Sequence, residues 1–80
     1  MRVMQNSYGK VNVTEHIILR NGWEYYVTDQ KHDEDIVLCV VMGFETEMGD
    51  VSLSEIKPYI LMRTKNLTEL MPCEGWRWVA

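Results

Sequence analysis

Eighty residues, 46% hydrophobic and 25% charged, have the composition of a globular chain and exclude a disordered tail. The longest apolar run, Ile36 to Met42, falls far short of the ~20 residues of a spanning helix, and Met1 to Lys10 lacks the apolar stretch of a secretory leader, so a cytoplasmic protein without a membrane partner is expected. The net charge of −4 is segregated, with +1 over residues 1–28, −7 over 29–55 and +2 over 56–80; such an acidic band repels phosphate backbones and disfavours nucleic acid as a partner.

A chain of this size fits one domain spanning residues 1–80, with a thin core that buries roughly 60% of the unfolded surface. In chain order, Val3 and Met4 precede the turn-prone Asn6-Ser7-Tyr8-Gly9 and suit a short edge strand. From Val11 to Arg20 the apolar residues Val11, Val13, Ile17 and Leu19 hold odd positions, broken by Glu15 and Ile18, which predicts a strand. Asn21-Gly22 predicts a type I′ hairpin turn. Trp23, Tyr25, Tyr26 and Val27 then begin a second strand. A two-residue turn would pair Arg20 with Trp23, Ile18 with Tyr25 and His16 with Val27 on one face, and Leu19 with Glu24 and Ile17 with Tyr26 on the other. The rival reading caps a helix with Thr14 and ends it at Gly22, but consecutive Ile17, Ile18 and Leu19 do not share a helix face.

Asp29 to Asp35 reads as a solvated loop, and the unbroken run from Ile36 to Met42 as a central strand covered on both sides. Phe44 to Met48 could prolong that strand past a bend between Gly43 and Gly49, and Val51 to Leu53 would be a brief strand or the approach to a helix. Ser52 with Glu55, and Asn66 with Glu69, have capping-box spacing. These predict one helical turn over Leu53–Lys57, a further helical piece from Pro58 through Tyr59, Ile60, Leu61 and Met62, and a second helix over Leu67–Met71 stopped by Pro72. Trp76 to Val79 alternates as a final strand. The expected fold class is therefore α+β, a small antiparallel sheet of about four strands with short helices toward the C-terminal end.

Three constellations bear on function. His32, Asp33, Asp35 and Glu47 could hold a divalent cation or small ligand and serve a catalytic role, although solvated loops collect such residues and no Asp-X-Asp-X-Asp-Gly loop is present. His16 with Glu15 or Glu24 could act as an acid–base pair, but the pairing above turns both carboxylates to the opposite face. Neither serine, Ser52 or Ser54, lies in a nucleophile elbow, and the unlike settings of Cys39 and Cys73 argue for free thiols over a disulfide. The third set is aromatic: Trp23, Tyr25, Trp76 and Trp78, flanked by Arg20 and Arg77, would form a stripe if their strands were neighbours. Covering the core is the simplest use for it, then a protein interface, then base stacking.

The stretch Gly43 to Ile56, GFETEMGDVSLSEI, resembles part of small proteins carried on bacterial mobile elements; it spans under a fifth of the chain and implies no activity. By subtraction the expectation is a non-enzymatic module without a cofactor, binding a protein partner or itself as a homodimer. An acidic decoy of a nucleic-acid-binding protein, built on Asp29 to Glu55, is the remaining alternative.

Overall fold

The computed structural model describes residues 1–79. Strands β1 (Arg2–Gln5), β2 (Lys10–Leu19), β3 (Glu24–Lys31), β4 (Ile36–Met42) and β5 (Thr46–Ser52) lead into a helical turn, α1 (Leu53–Ile56), and a 3-10 turn over Lys57–Tyr59. Strands β6 (Ile60–Thr64) and β7 (Arg77–Trp78) follow. Strand makes up 54% of the chain and helix 9%, so the expected α+β class with about four strands is corrected to a single, mostly-β antiparallel sheet.

The sheet order is β5-β4-β3-β2-β1-β7, with β6 also on β2. Strand β2 makes this possible through its length. Its first half, Lys10 to Val13, pairs with β1, and its second half, His16 to Leu19, pairs with β6 along the same edge. Strand β1, expected at an edge, instead lies between β2 and β7.

The strand–turn–strand reading of residues 11–27 holds, and the helical alternative for Thr14 to Gly22 is excluded. The turn differs. A type I′ turn needs positive φ at both central residues, yet Gly22 (φ 91°) is the only one of the pair in that region. Gly22 N–H donates to the Leu19 carbonyl at 2.9 Å and Leu19 N–H to the Trp23 carbonyl at 2.8 Å, which closes a three-residue loop of Arg20, Asn21 and Gly22. One extra loop residue moves the register by one: Ile18 faces Glu24, Ile17 faces Tyr25 and His16 faces Tyr26.

A second irregularity explains why Glu15 interrupts the alternation. Val13 pairs with Thr28 while Glu15 pairs with Val27, leaving Thr14 as a bulge on β2. Because side chains alternate, one inserted residue exchanges the faces that follow it. Val11 and Val13 therefore pack with Met4, Tyr26 and Val40 on one face, and Ile17 and Leu19 with Tyr25, Val27, Val37 and Cys39 on the other.

Each face has its own cover. Leu53 and Ile56 from α1, with Ile60, lie over the Ile17 face, where Ser52 caps the helix by accepting from Glu55 N–H at 3.3 Å. This is the Ser52 cap and the single turn that the spacing predicts, formed by the serine half of the capping box. The chain after β6 wraps the Met4 face with Leu67, Leu70, Cys73, Trp76 and Trp78. The predicted helix over Leu67–Met71 is absent: Asn66 Oδ1 accepts from Thr68 N–H at 3.2 Å and Leu70 N–H reaches the Leu67 carbonyl at 3.3 Å, giving turns that Pro72 prevents from continuing. Three anchors hold this segment: Arg2 Nη1 donates to the Leu67 carbonyl at 2.9 Å, Tyr26 hydroxyl to Met71 at 2.9 Å and Trp78 Nε1 to Leu70 at 2.7 Å. The other correction concerns Tyr59 to Met62, expected to be helical after Pro58. Only the 3-10 turn ending at Tyr59 is helical, and from Ile60 the chain is strand, because pairing with β2 satisfies more backbone groups than a piece of helix this short could. No helix among the described residues is long and apolar enough to cross a membrane.

Candidate protein-interaction surface

Three strands keep one unpaired side among the described residues, β5, β6 and the two-residue β7. An unpaired side presents N–H and C=O groups to any chain that can add a strand, and proteins shield such edges with charge. Strand β5 is shielded in this way: Glu47 and Asp50 lie on it and Glu45 precedes it, all exposed.

Strand β6 is not. Tyr59, at its entrance, is 60% exposed, Leu61 66% and Met62 49%. Arg63 is the single charged residue within the strand, and it is already engaged, with Nε and Nη2 donating to the Glu15 carboxylate at 2.9 and 2.8 Å. Glu15, turned inward by the Thr14 bulge, is a buried carboxylate at 6% exposure, so this bidentate pair ties β6 to β2. The bond to Glu15 holds the Arg63 guanidinium above its ordinary range.

Beside this edge, on the Met4 face, lies a groove of about 840 Å³ between the sheet and the segment 66–72. Met42, Met62 and Met71 supply much of its apolar lining, and its floor holds His16, Glu24 and Tyr26. His16 is 2% exposed, its Nε2 lies 2.8 Å from Glu24 Oε1, and its ring centroid stands 4.9 Å from that of Tyr26. The shifted hairpin register creates this contact: Glu24 faces Ile18, and His16 is two residues along on the same face. The expectation that Glu24 points away from His16 is thus corrected. Burial, with the Glu24 charge adding to it, pushes the Tyr26 phenol above the usual tyrosine range. Methionine side chains adapt to varied apolar partners, so such a lining suits a binding surface.

The aromatic stripe does not assemble as one surface. Strands β3 and β7 are separated by β2 and β1. Trp23 and Tyr25 pack on the Ile17 face, Trp23 edge-on to Phe44 at 5.4 Å, whereas Trp76 and Trp78 pack on the Met4 face with the Arg2 guanidinium 4.3 Å over the Trp78 ring. Arg20 is exposed in the β2–β3 loop, and exposed Arg77 donates to Gln5 Oε1 at 3.3 Å.

The four metal-site candidates do not converge either, and among the described residues no group of three or more His, Cys, Asp or Glu side chains is placed to hold a metal ion. Asp33 accepts from the N–H groups of Asp35 and Ile36 at 2.8 and 2.7 Å, shaping the turn into β4. Asp35 accepts from the Ser52 hydroxyl at 2.6 Å and from Ser54 N–H at 2.7 Å, pinning the start of α1. His32 pairs with Asp50 at 2.8 Å, and Glu47 lies opposite Val41. Cys39 and Cys73 are buried on opposite faces as free thiols.

Sequence reasoning overlooked Tyr59, Leu61 and Met62 by assigning them to a helix. The signal that could have found them is the run Tyr59-Ile60-Leu61-Met62, four consecutive large residues with no single helix face to share. No protein-family model matches this chain, and no curated protein or solved structure matches it.

Proposed function

We propose that this chain is a non-enzymatic protein-interaction module that binds a polypeptide along the open side of β6. The observation that carries this reading is the contrast between the two long edges, one laced with Glu45, Glu47 and Asp50 and the other presenting exposed Tyr59, Leu61 and Met62 beside a methionine-lined groove. Strand addition combines backbone hydrogen bonds for affinity with side-chain contacts for selectivity, and both elements are at hand here. The test is affinity capture with the wild type, Leu61→Lys, Met62→Lys and, as a control on the other edge, Met48→Lys. Proteins identified by mass spectrometry should be lost with the two β6 variants and kept with Met48→Lys. Equal recovery by all four chains overturns the reading.

A second reading, a small-ligand site in the same groove, is favoured by the contact of buried His16 with half-buried Glu24 on its floor. A ligand that binds only the folded state raises the melting temperature. A metabolite panel that stabilises the wild type but not His16→Phe would support it, and a panel without effect would remove it.

A further inference from the structure

We infer that the groove on the Met4 face takes an organic cation, an ammonium or guanidinium on an apolar body, with its charge on Glu24 and its body against the methionines. This rests on the reading of the groove as a ligand site and adds the class of ligand. Strand pairing lays the floor. Met42, Glu24, Ile18 and Met62 are successive partners on β4, β3, β2 and β6, so their side chains form one row on one face. Tyr26 and His16 lie in the next row, and the segment carrying Leu70 and Met71 closes the far side.

The charge in this groove is one-sided. Its lining carries Glu24 and Glu69 and neither lysine nor arginine. Neighbouring cations are turned elsewhere: Arg63 and Lys65 line a cavity on the Ile17 face, and the Arg2 guanidinium is held by the Leu67 carbonyl and the Trp78 ring. Among the described residues no lysine or arginine pairs with Glu24, whose Oε1 lies 2.8 Å from His16 Nε2. Its charge reaches the core beneath. Burial, then the Glu24 carboxylate, raises the Tyr26 phenol, and the same charge adds to burial in raising the Cys73 thiol.

The Glu24 side chain is 29% exposed, and that exposure decides the class of occupant. A molecule that fills the groove takes water from the carboxylate. A neutral body would leave it desolvated without a counter-charge, and an anion would add repulsion. An ammonium or guanidinium replaces the lost water with charge-assisted hydrogen bonds. The methionines set the rest, because thioethers adapt to irregular apolar shapes and make favourable contacts with aromatic rings. Met62 stands two strands from Glu24, roughly 10 Å away at the usual strand spacing, which is the length of an arylethylamine.

The test follows carbon-13-labelled methionine methyl groups by NMR. Met42, Met62 and Met71 line the groove, whereas exposed Met1 and Met48 do not and supply the blank. The probes share one body: tryptamine, its alcohol analogue tryptophol and the anionic indole-3-acetate. Tryptamine should move the groove methyls at a concentration roughly tenfold below that of tryptophol, with indole-3-acetate weakest and Met1 and Met48 unmoved. In Glu24→Gln tryptamine and tryptophol should become equal, while Glu45→Gln, the same loss of charge outside the groove, should keep the preference. The wild-type comparison needs no variant, so it decides even where Glu24→Gln misfolds. Acetyl-Leu-Lys-Leu-amide against its Nε-acetyl-lysine form separates the sources: a response to the lysine peptide without one to tryptamine assigns the cation to a polypeptide, and the converse to a free amine. Equal responses to tryptamine and tryptophol, or a preference that survives Glu24→Gln, overturn the cation at Glu24 and leave the groove as a ligand site. Groove methyls unmoved by every probe at millimolar concentration overturn both.

Discussion

Replacing Arg63 with methionine would strip the counter-charge from a carboxylate that is only 6% exposed. Glu15 accepts two charge-assisted hydrogen bonds, at 2.9 and 2.8 Å, from a strand 48 residues further along the chain. Removing one member of a buried pair costs ~3–5 kcal/mol, because the remaining charge has no partner. The Arg63 side chain is itself 43% exposed, so water can approach from its side. That screening lowers the expected loss to about 2–3 kcal/mol. In a domain of this size such a loss corresponds to a fall of roughly 10–20 °C in melting temperature. The assay is urea unfolding followed by tryptophan fluorescence, at a dilution where self-association contributes nothing, with the slope m checked for constancy. Combining Arg63→Met with Glu15→Leu replaces both charges by apolar groups and should return the midpoint to within about 1 kcal/mol of the wild type. A single variant within about 0.5 kcal/mol of the wild type, or a double variant whose effects merely add, would show that the pair behaves as a solvent-screened surface contact.

A Cβ built on Gly43 would lie 2.8 Å from the Trp23 ring, so Gly43→Ala should cost about 1–3 kcal/mol and shift the tryptophan emission, while Gly49→Ala, with nothing within 4 Å, should not destabilise. An unshifted emission spectrum in Gly43→Ala would refute the contact. Backbone N–H groups of Ile36 and Asp35 hold the Asp33 carboxyl below its ordinary range, and the Ser52 hydroxyl with the Ser54 N–H and hydroxyl does the same for Asp35. Their folded values lie below the unfolded ones, so this stabilisation is present above a pH of about 4 and disappears as pH falls through the folded values. Stability should therefore decline more gently on acidification in Asp35→Asn than in the wild type, and parallel curves would count against the network. Burial pushes the Cys39 thiol up to about 12 and raises that of Cys73, so neither should react with a water-soluble thiol reagent at neutral pH until urea unfolds the chain. Rapid labelling of the folded protein would contradict their burial.

What the sequence determined by itself was decided by neighbours along the chain. Gly22 can take positive φ and Asn21 favours turns, so the reversal between β2 and β3 was legible, as were an interior strand in Ile36 to Met42, the Ser52 cap with its single helical turn, and a final strand within Trp76 to Val79, which forms only at Arg77–Trp78. Only the tertiary structure decided the faces and the edges. The loop residue added at Arg20 to Gly22 and the bulge at Thr14 each move a strand by one position; the first leaves no trace in the local residue types, and the second leaves only the break in alternation at Glu15, which does not say where the bulge falls. Those two shifts bring Glu24 onto His16, turn Glu15 inward to meet Arg63, and divide Val13 from Ile17. Tyr59 to Met62 suited a helix as well as a strand by local preference; the free half of the β2 edge selected the strand, and with it exposed Leu61 and Met62. Local backbone preference acts between adjacent residues, whereas register and edge exposure come from hydrogen bonds between distant segments, which is why the elements of the sheet could be read and the candidate surface could not.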